Sequence, residues 1–179
     1  MSWQIDASHS NINFTARHMM ISKVRGQFEN FDGTINFDPD QPENTTVDIS
    51  IDVSTLSTND EQRDNHLKSP DFFDASKYPG MTFKSKKVEQ LDEDSGKLYG
   101  DLTIRGKTQP VVLEVEYAGL AKSPWGTTSA GFSASTTVNR KDWGLNWNQA
   151  LETGGFLVGD KIKIDIDLEL IKQPETVPA

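Results

Sequence analysis

Three histidines and one short charged segment are the residues of this chain that could carry out chemistry. His9, His18 and His66 could in principle supply a three-imidazole zinc site with an open fourth position. Asp6 and Asp64 lie near two of them in sequence and could orient their rings. However, no two histidines show the short spacing of metal ligands, and His9 and His18 would point to opposite faces of a straight strand. The sequence therefore favours no metal site.

The segment Arg63-Asp64-Asn65-His66 resembles a general acid–base group in composition. Arg63 and His66 would share one face of a helix, whereas Arg63 and Asp64 are adjacent and need not face each other. We therefore interpret the segment as structural pairing between a helix and its surroundings. The alternative is an enzyme that uses His18, His66 and Arg63. The chain has no cysteine and no Gly-x-Ser-x-Gly elbow, so we predict no catalytic residue and no cofactor.

Residues 57–79 form the one stretch that does not follow a strand pattern. Thr58 and Glu61 have the spacing of a capping box, which predicts a short helix that runs to about Lys68. Pro70 then disfavours helical geometry in the residue before it and ends the helix. Large apolar residues follow on a surface connection, and we expect them, with one residue of the helix, to close or line one end of the fold: Leu67, Phe72 and Phe73.

Composition limits the classes of function. The chain has 179 residues, which predicts a single domain over residues 1–172 followed by a polar tail over 173–179. A net charge of −9 disfavours binding to nucleic acids and to anionic lipid headgroups. No run of 18 apolar residues is present to span a membrane. The N-terminus lacks the pattern of a secretory leader, so we expect a cytoplasmic protein, or a periplasmic one if a leader was removed.

Apolar and polar residues alternate in about eight successive segments, and this alternation is typical of strands with one buried face. The pattern is clearest in 46–53 and 162–170. Because turns link the segments, the sequence predicts an all-β antiparallel sheet that closes into an eight-stranded barrel. A two-sheet sandwich is the competing arrangement. The helix and its aromatic neighbours would form a lid segment inserted mid-chain.

Two of the predicted strands contain irregularities. The first has a kink at Ser8-His9, and the second breaks its alternation between Phe28 and Phe31, which suggests a bulge. Small residues on the predicted inner face could leave space for a ligand, because eight strands enclose just enough room for one: Ala16, Gly33, Gly100, Ala130 and Ala134. Alternatively, larger neighbours fill this space, and the spacing favours neither outcome.

Several motifs together resemble those of the YceI-like family, whose members are lipocalin-like barrels associated with polyisoprenoid binding. The resemblance extends over nearly the whole chain in the expected order, and it is carried by these segments: Trp3-x-Ile5-Asp6-x-x-His9-Ser10, Phe14 with His18, Gly26-x-Phe28, Phe31-x-Gly33, Ser57-Thr58 to Asp74 with Tyr78-Pro79, Gly100-x-Leu102-Thr103-Ile104-x-Gly106, Asn139-Arg140-x-Asp142-Trp143-Gly144 and Val158-Gly159-Asp160. The family resemblance implies an apolar channel that holds a long polyisoprenoid, such as an isoprenoid quinone, or a similar lipid.

On this basis we expect a non-enzymatic lipid-binding carrier. The predicted ligand-binding residues on the wall and at one end of the channel are Phe14, Ala16, His18, Phe31, Ile35, Ile49, Ile51, Leu67, Phe72, Phe73, Leu102 and Phe132. Among them His18 is the candidate for a polar contact with a headgroup or carbonyl. A filled barrel that acts as a stress-responsive interaction module is the other alternative, and exposed rings at a barrel mouth would also allow a homodimer.

Overall fold

The computed structural model describes residues 3–152 and 154–173. This part of the chain contains eleven strands and one α-helix, with the following bounds: β1 Trp3–Ile5, β2 Asn11–His18, β3 Ser22–Phe28, β4 Phe31–Asn36, β5 Thr46–Asp52, β6 Leu56–Ser57, α1 Glu61–Lys68, β7 Gly80–Gln90, β8 Ser95–Ile104, β9 Lys107–Lys122, β10 Thr128–Asn139 and β11 Lys161–Lys172. Residues 174–179 of the predicted tail lie outside the described residues. None of the described helices is both long enough and apolar enough to cross a membrane.

The strands form a closed antiparallel barrel. Neighbouring strands follow the order β1, β4, β5, β7, β8, β9, β10 and β11, and β11 pairs with β1 to close the ring of eight. Closure confirms the predicted barrel and excludes the two-sheet sandwich, since every strand of the ring has a hydrogen-bonded neighbour on both sides.

The first two barrel strands are each broken into two pieces. β1 and β2 both pair with β11, through Ile5 opposite Leu170 and Ile12 opposite Ile166. A 3₁₀ turn at Ala7–His9 separates them, at the predicted kink. β3 pairs with β2, and β4 pairs with β5 and β1, so the chain moves from one neighbour to another at the break between Phe28 and Phe31.

The helix α1 has the predicted extent but not the predicted cap. The carboxylate of Asp60 accepts a hydrogen bond from the Arg63 N–H at 3.1 Å and therefore caps the helix. The capping box of Thr58 with Glu61 was wrong because Thr58 is buried and its hydroxyl is engaged elsewhere. This hydroxyl donates to Asp64 at 2.5 Å and accepts from the Arg63 Nε at 2.8 Å.

Arg140 organises the irregular stretch between β10 and β11. Its guanidinium is buried and donates to the backbone carbonyls of Leu145 at 2.6 Å, Trp147 at 2.9 Å and Gly159 at 2.9 Å. Burial lowers the pKa of Arg140, and the nearby carboxylate of Asp160, 3.6 Å away, opposes this shift. A stretch without regular secondary structure thus finds partners for its carbonyls in one side chain.

Arg140→Met should destabilise the protein by roughly 3–5 kcal/mol, because several buried carbonyls lose their donor together. Lys141→Met is the matched control, since Lys141 lies next in sequence and also contacts Asp160, but at the surface and at 3.4 Å. The control should cost less than about 1 kcal/mol. Urea unfolding of the two variants provides the measurement, and equal midpoints would contradict the role of Arg140.

Candidate functional site

A cavity of about 510 Å³ runs through the barrel and is the main candidate site. Its wall follows from the alternation of side chains along each strand. On β11 the inward residues are Ile162, Ile164, Ile166 and Leu168, and on β10 they are Phe132, Ala134, Thr136 and Val138. The intervening residues of both strands, such as Asp167, do not line the cavity. The wall is therefore mostly hydrocarbon.

One end of the cavity is closed by aromatic and aliphatic side chains from two loops. Phe72 follows α1 and is buried, and its carbonyl accepts a hydrogen bond from Arg105 at 3.0 Å. Trp143 is also buried, and its indole N–H donates to the carbonyl of Leu102 at 2.8 Å. Leu67, Phe73 and Leu145 complete this end. The hydrogen bonds of Phe72 and Trp143 hold the aromatic rings of these two residues against the cavity.

The opposite end of the cavity is polar. The hairpin between β7 and β8 contributes Asp92, Glu93 and Asp94, which are exposed, and the connection after β4 contributes Asp40. The Asp92 carboxylate accepts a hydrogen bond from the backbone N–H of Asp94, and this bond is the main cause that lowers the pKa of Asp92. The carboxylate of Asp92 therefore stays ionised. The cavity thus has an apolar closed end and an acidic end that reaches exposed residues.

Residues 3–170 match the YceI-like domain. The chain belongs to the YceI-like family. A UPF0312 protein of Staphylococcus aureus strain N315 is 37% identical over 169 residues, which cover 94% of this chain and 96% of the relative. A UPF0312 protein of Staphylococcus aureus strain COL has the same identity to this chain and the same coverage.

Solved structures of similar proteins have the same barrel. A YceI protein of Campylobacter jejuni is 36% identical, with a TM-score of 0.77 over 88% of this chain and 90% of that chain. BcnA of Burkholderia cenocepacia gives a TM-score of 0.81 at 23% identity, over 92% and 98%. A polyisoprenoid binding domain from Saccharophagus degradans, implicated in plant cell wall breakdown, gives 0.71 at 13% identity, over 97% and 99%. The last two support the YceI-like fold alone.

Eleven of the twelve predicted ligand-binding residues line the cavity of this YceI-like barrel. They are Phe14, Ala16, Phe31, Ile35, Ile49, Ile51, Leu67, Phe72, Phe73, Leu102 and Phe132. His18 is not among the lining residues: it ends β2, and its backbone bridges to Val158, which does line the cavity. The prediction that His18 faces the channel was therefore wrong, and contact of the other eleven with a ligand stays a prediction.

Three of the small residues predicted to leave space do not line the cavity. A side chain added at Gly100 would meet the Phe83 ring at 2.5 Å, and one at Gly33 would collide with the carbonyl of Asp48. Ala130 is fully buried. Neighbouring groups therefore occupy these positions, whereas Ala16 and Ala134 do border the cavity.

The sequence missed the lining residues that lie outside regular strands. Three of them, Trp143, Leu145 and Val158, belong to the stretch between β10 and β11. They line the cavity although apolar and polar residues do not alternate in this stretch. The only sequence signal was the presence of large apolar residues among glycines and polar residues. Tyr117, on β9, also lines the cavity and was not included in the predicted site.

Arg63 and His66, which the enzymatic alternative would use, form hydrogen bonds with different partners. Arg63 donates to the hydroxyl and the carbonyl of Thr58, both at 2.8 Å. The Nε2 atom of His66 lies 2.9 Å from Asp71, and its ring packs edge-on against Trp147. Asp64, which could have oriented His66, accepts from Thr58 instead. These contacts support the structural interpretation of the segment over the enzymatic one.

A second group of ionisable residues lies on the outside of the barrel, where β1 meets β11. The Nδ1 atom of His9 is 2.6 Å from Asp6 and 3.1 Å from Glu169, so the predicted pairing of His9 with Asp6 is confirmed. The hydrogen bond that His9 donates to Asp6, together with the charges of Asp6 and Glu169, raises the pKa of His9. The hydroxyl of Ser8 and then His9 lower the pKa of Asp6.

His9→Ala should reduce stability only where His9 is protonated. Because the folded-state pKa is raised, the contribution of His9 is fully present below its unfolded pKa of about 6.5 and is lost as pH rises through the folded value. The melting temperatures of wild type and variant should therefore differ below about pH 6.5 and converge in alkaline buffer. A constant difference across this pH series would contradict the role of the ion pair.

Proposed function

We propose that this protein binds a long-chain polyisoprenoid, such as an isoprenoid quinone, or a similar amphiphilic lipid in the barrel cavity, and carries it without catalysing a reaction. The observation that carries this proposal is the mostly hydrocarbon wall of the 510 Å³ cavity. Its volume lies in the range of cavities that hold small molecules, about 300–1,000 Å³. The domain from Saccharophagus degradans that shares this fold is a polyisoprenoid binding domain, and polyisoprenoids are the same class of ligand.

The energetics of burial are sufficient for such a ligand. Burial of one methylene group contributes about 0.8 kcal/mol, so one five-carbon isoprene unit contributes roughly 3–4 kcal/mol. For large ligands the net gain falls to about 0.3 kcal/mol per atom, which limits a 40-carbon chain to about 12 kcal/mol. Tight binding would therefore need no polar contact along the tail, and the length and bends of the cavity would select the ligand.

The two ends of the cavity suggest an orientation for the ligand. The apolar terminus would lie against Phe72 and Trp143, where most of the lining residues are apolar. The headgroup would lie near Asp92 and Asp94, where the cavity reaches exposed acidic side chains. Because these carboxylates repel negative charge, we propose that the headgroup is neutral or cationic rather than a phosphate.

The alternative of a filled barrel that serves only as an interaction module is not favoured, because a filled barrel would leave no cavity of this size. The enzymatic alternative is not favoured either, since His66 and Arg63 have structural partners and His18 lies off the cavity wall.

A tryptophan placed on the wall tests the proposal. Ala134→Trp and Ala16→Trp should each reduce the lipid that co-purifies with the protein by at least about tenfold, or shift it to shorter chains, because the new ring occupies the cavity. Ser133→Trp is the matched control, since Ser133 is the neighbour of Ala134 on the same strand, exposed and off the cavity wall. It should retain the amount of lipid found in wild type.

Native mass spectrometry of freshly purified protein, followed by analysis of the extracted lipid, gives the amount and chain length of the ligand. Circular dichroism would verify that each variant is folded. The proposal fails if wild type carries no lipid, or if Ala134→Trp and Ser133→Trp carry the same lipid in equal amounts.

A further inference from the structure

The turn between β2 and β3 exposes a group of apolar side chains. We define the hairpin tip as residues Met19, Met20 and Ile21, whose exposed fractions are 42%, 61% and 81%. Phe156, in the neighbouring loop, is 58% exposed. The two segments are joined because the Met19 N–H donates to the carbonyl of Leu157 at 2.8 Å. Together they form an apolar projection at the end of the barrel that carries α1.

The backbone of the hairpin tip is unfavourable for the residues it contains. Met19 and Met20 have φ values of 53° and 63°, which lie in the left-handed region where residues other than glycine are uncommon. The Ile21 N–H donates to the carbonyl of His18 at 3.2 Å, so Met19 and Met20 are the two central residues of a β-turn, both with positive φ. Turns of this kind favour Asn and Gly at these positions, which avoid the steric conflict and expose no apolar surface. Backbone strain combined with exposed apolar side chains points to a function for the side chains themselves.

The flanks of the hairpin tip are basic in an otherwise acidic protein. Residues 17–25 contain Arg17, Lys23 and Arg25 and no acidic residue, whereas the whole chain has a net charge of −9. Arg17 lies directly opposite Lys23 across the two strands, and like charges in this position repel. Within residues 3–152 and 154–173, none of the three has a carboxylate within salt-bridge distance.

We propose that the hairpin tip is a docking site for the surface of a bilayer that contains anionic lipids. Met20, Ile21 and Phe156 would enter the interface between headgroups and acyl chains, while Arg17, Lys23 and Arg25 would contact the anionic headgroups. Apolar side chains that insert beside basic side chains are the combination that interfacial membrane binding requires. This docking does not depend on what the barrel cavity holds.

Charge complementarity favours a bilayer over a second copy of the chain. In a symmetric dimer through this surface, the same three cations of each subunit would face each other, which is unfavourable. On an anionic bilayer they neutralise headgroups instead. Glu152 is an exposed acidic residue in the neighbouring loop, so the surface is locally but not uniformly basic.

Flotation with lipid vesicles tests the proposal on the full chain. Wild type should bind vesicles that contain phosphatidylglycerol in phosphatidylcholine and should bind vesicles of phosphatidylcholine alone far less. Met20→Ser/Ile21→Ser should weaken binding to the anionic vesicles by at least about tenfold. Lys23→Gln/Arg25→Gln should weaken it by about fivefold for each charge removed.

One further variant separates docking from damage to the fold. Met19→Asn/Met20→Gly supplies the residues that this turn prefers, so its melting temperature should rise while its vesicle affinity falls. Trp125→Ser is the matched control, because Trp125 is 83% exposed in the hairpin between β9 and β10, at the opposite end of the barrel. It should bind vesicles as wild type does.

Several outcomes would overturn the proposal. These are failure of wild type to bind anionic vesicles, equal binding to neutral vesicles, undiminished binding by Met20→Ser/Ile21→Ser, and loss of binding in Trp125→Ser. A change of oligomeric mass in Met20→Ser/Ile21→Ser, without vesicle binding by wild type, would show instead that the hairpin tip contacts a second copy of the chain.

Discussion

The structure depends on the pairing of the last strand, β11, with both β1 and β2. β11 is met near its C-terminal end by β1, which closes the ring of eight, and nearer its N-terminal end by β2, which continues the sheet through β3 to β6. The turn at Ala7–His9 allows one segment of chain to follow β11 along most of its length. Once the ring is closed, the register of each strand is fixed by two neighbours, and the inward side chains cannot change face. The cavity is a direct result of this closure.

Most of the wall could be predicted from the sequence because a strand with one buried face alternates with a period of two. Phe14 and Ala16, for example, were placed on the inner face by this rule, and both line the cavity. The rule does not state where a strand leaves the wall. His18 continues the alternation, but it lies at the point where β2 meets the loop at Val158 and does not line the cavity. The rule also assumes that a small residue leaves an empty space, whereas the Phe83 ring covers Gly100 from the neighbouring strand.

The polar motif residues could be located by sequence, but their roles required three-dimensional contacts. Arg63 and Asp64 together surround the buried Thr58, so a segment that resembles an acid–base group fixes α1 to the barrel. Arg140 has a comparable structural role at the same end of the barrel. Its guanidinium donates hydrogen bonds to the carbonyls of residues that lie far apart in the stretch that follows. Sequence spacing gives no signal for either arrangement, since the partners are backbone atoms or residues without a periodic relation. Hydrogen bonds of this kind position the aromatic residues that close the cavity.

The near absence of polar atoms along the inner faces of β10 and β11, where Thr136 is the exception, has a kinetic consequence. Dispersion contacts have no preferred direction, so displacement of a hydrocarbon chain by one carbon along the barrel axis replaces each contact with an equivalent one. A chain in such a sleeve would slide lengthwise over a nearly flat energy profile. Its rates of entry and departure would then be governed by the two ends of the sleeve rather than by the rupture of any single contact inside it.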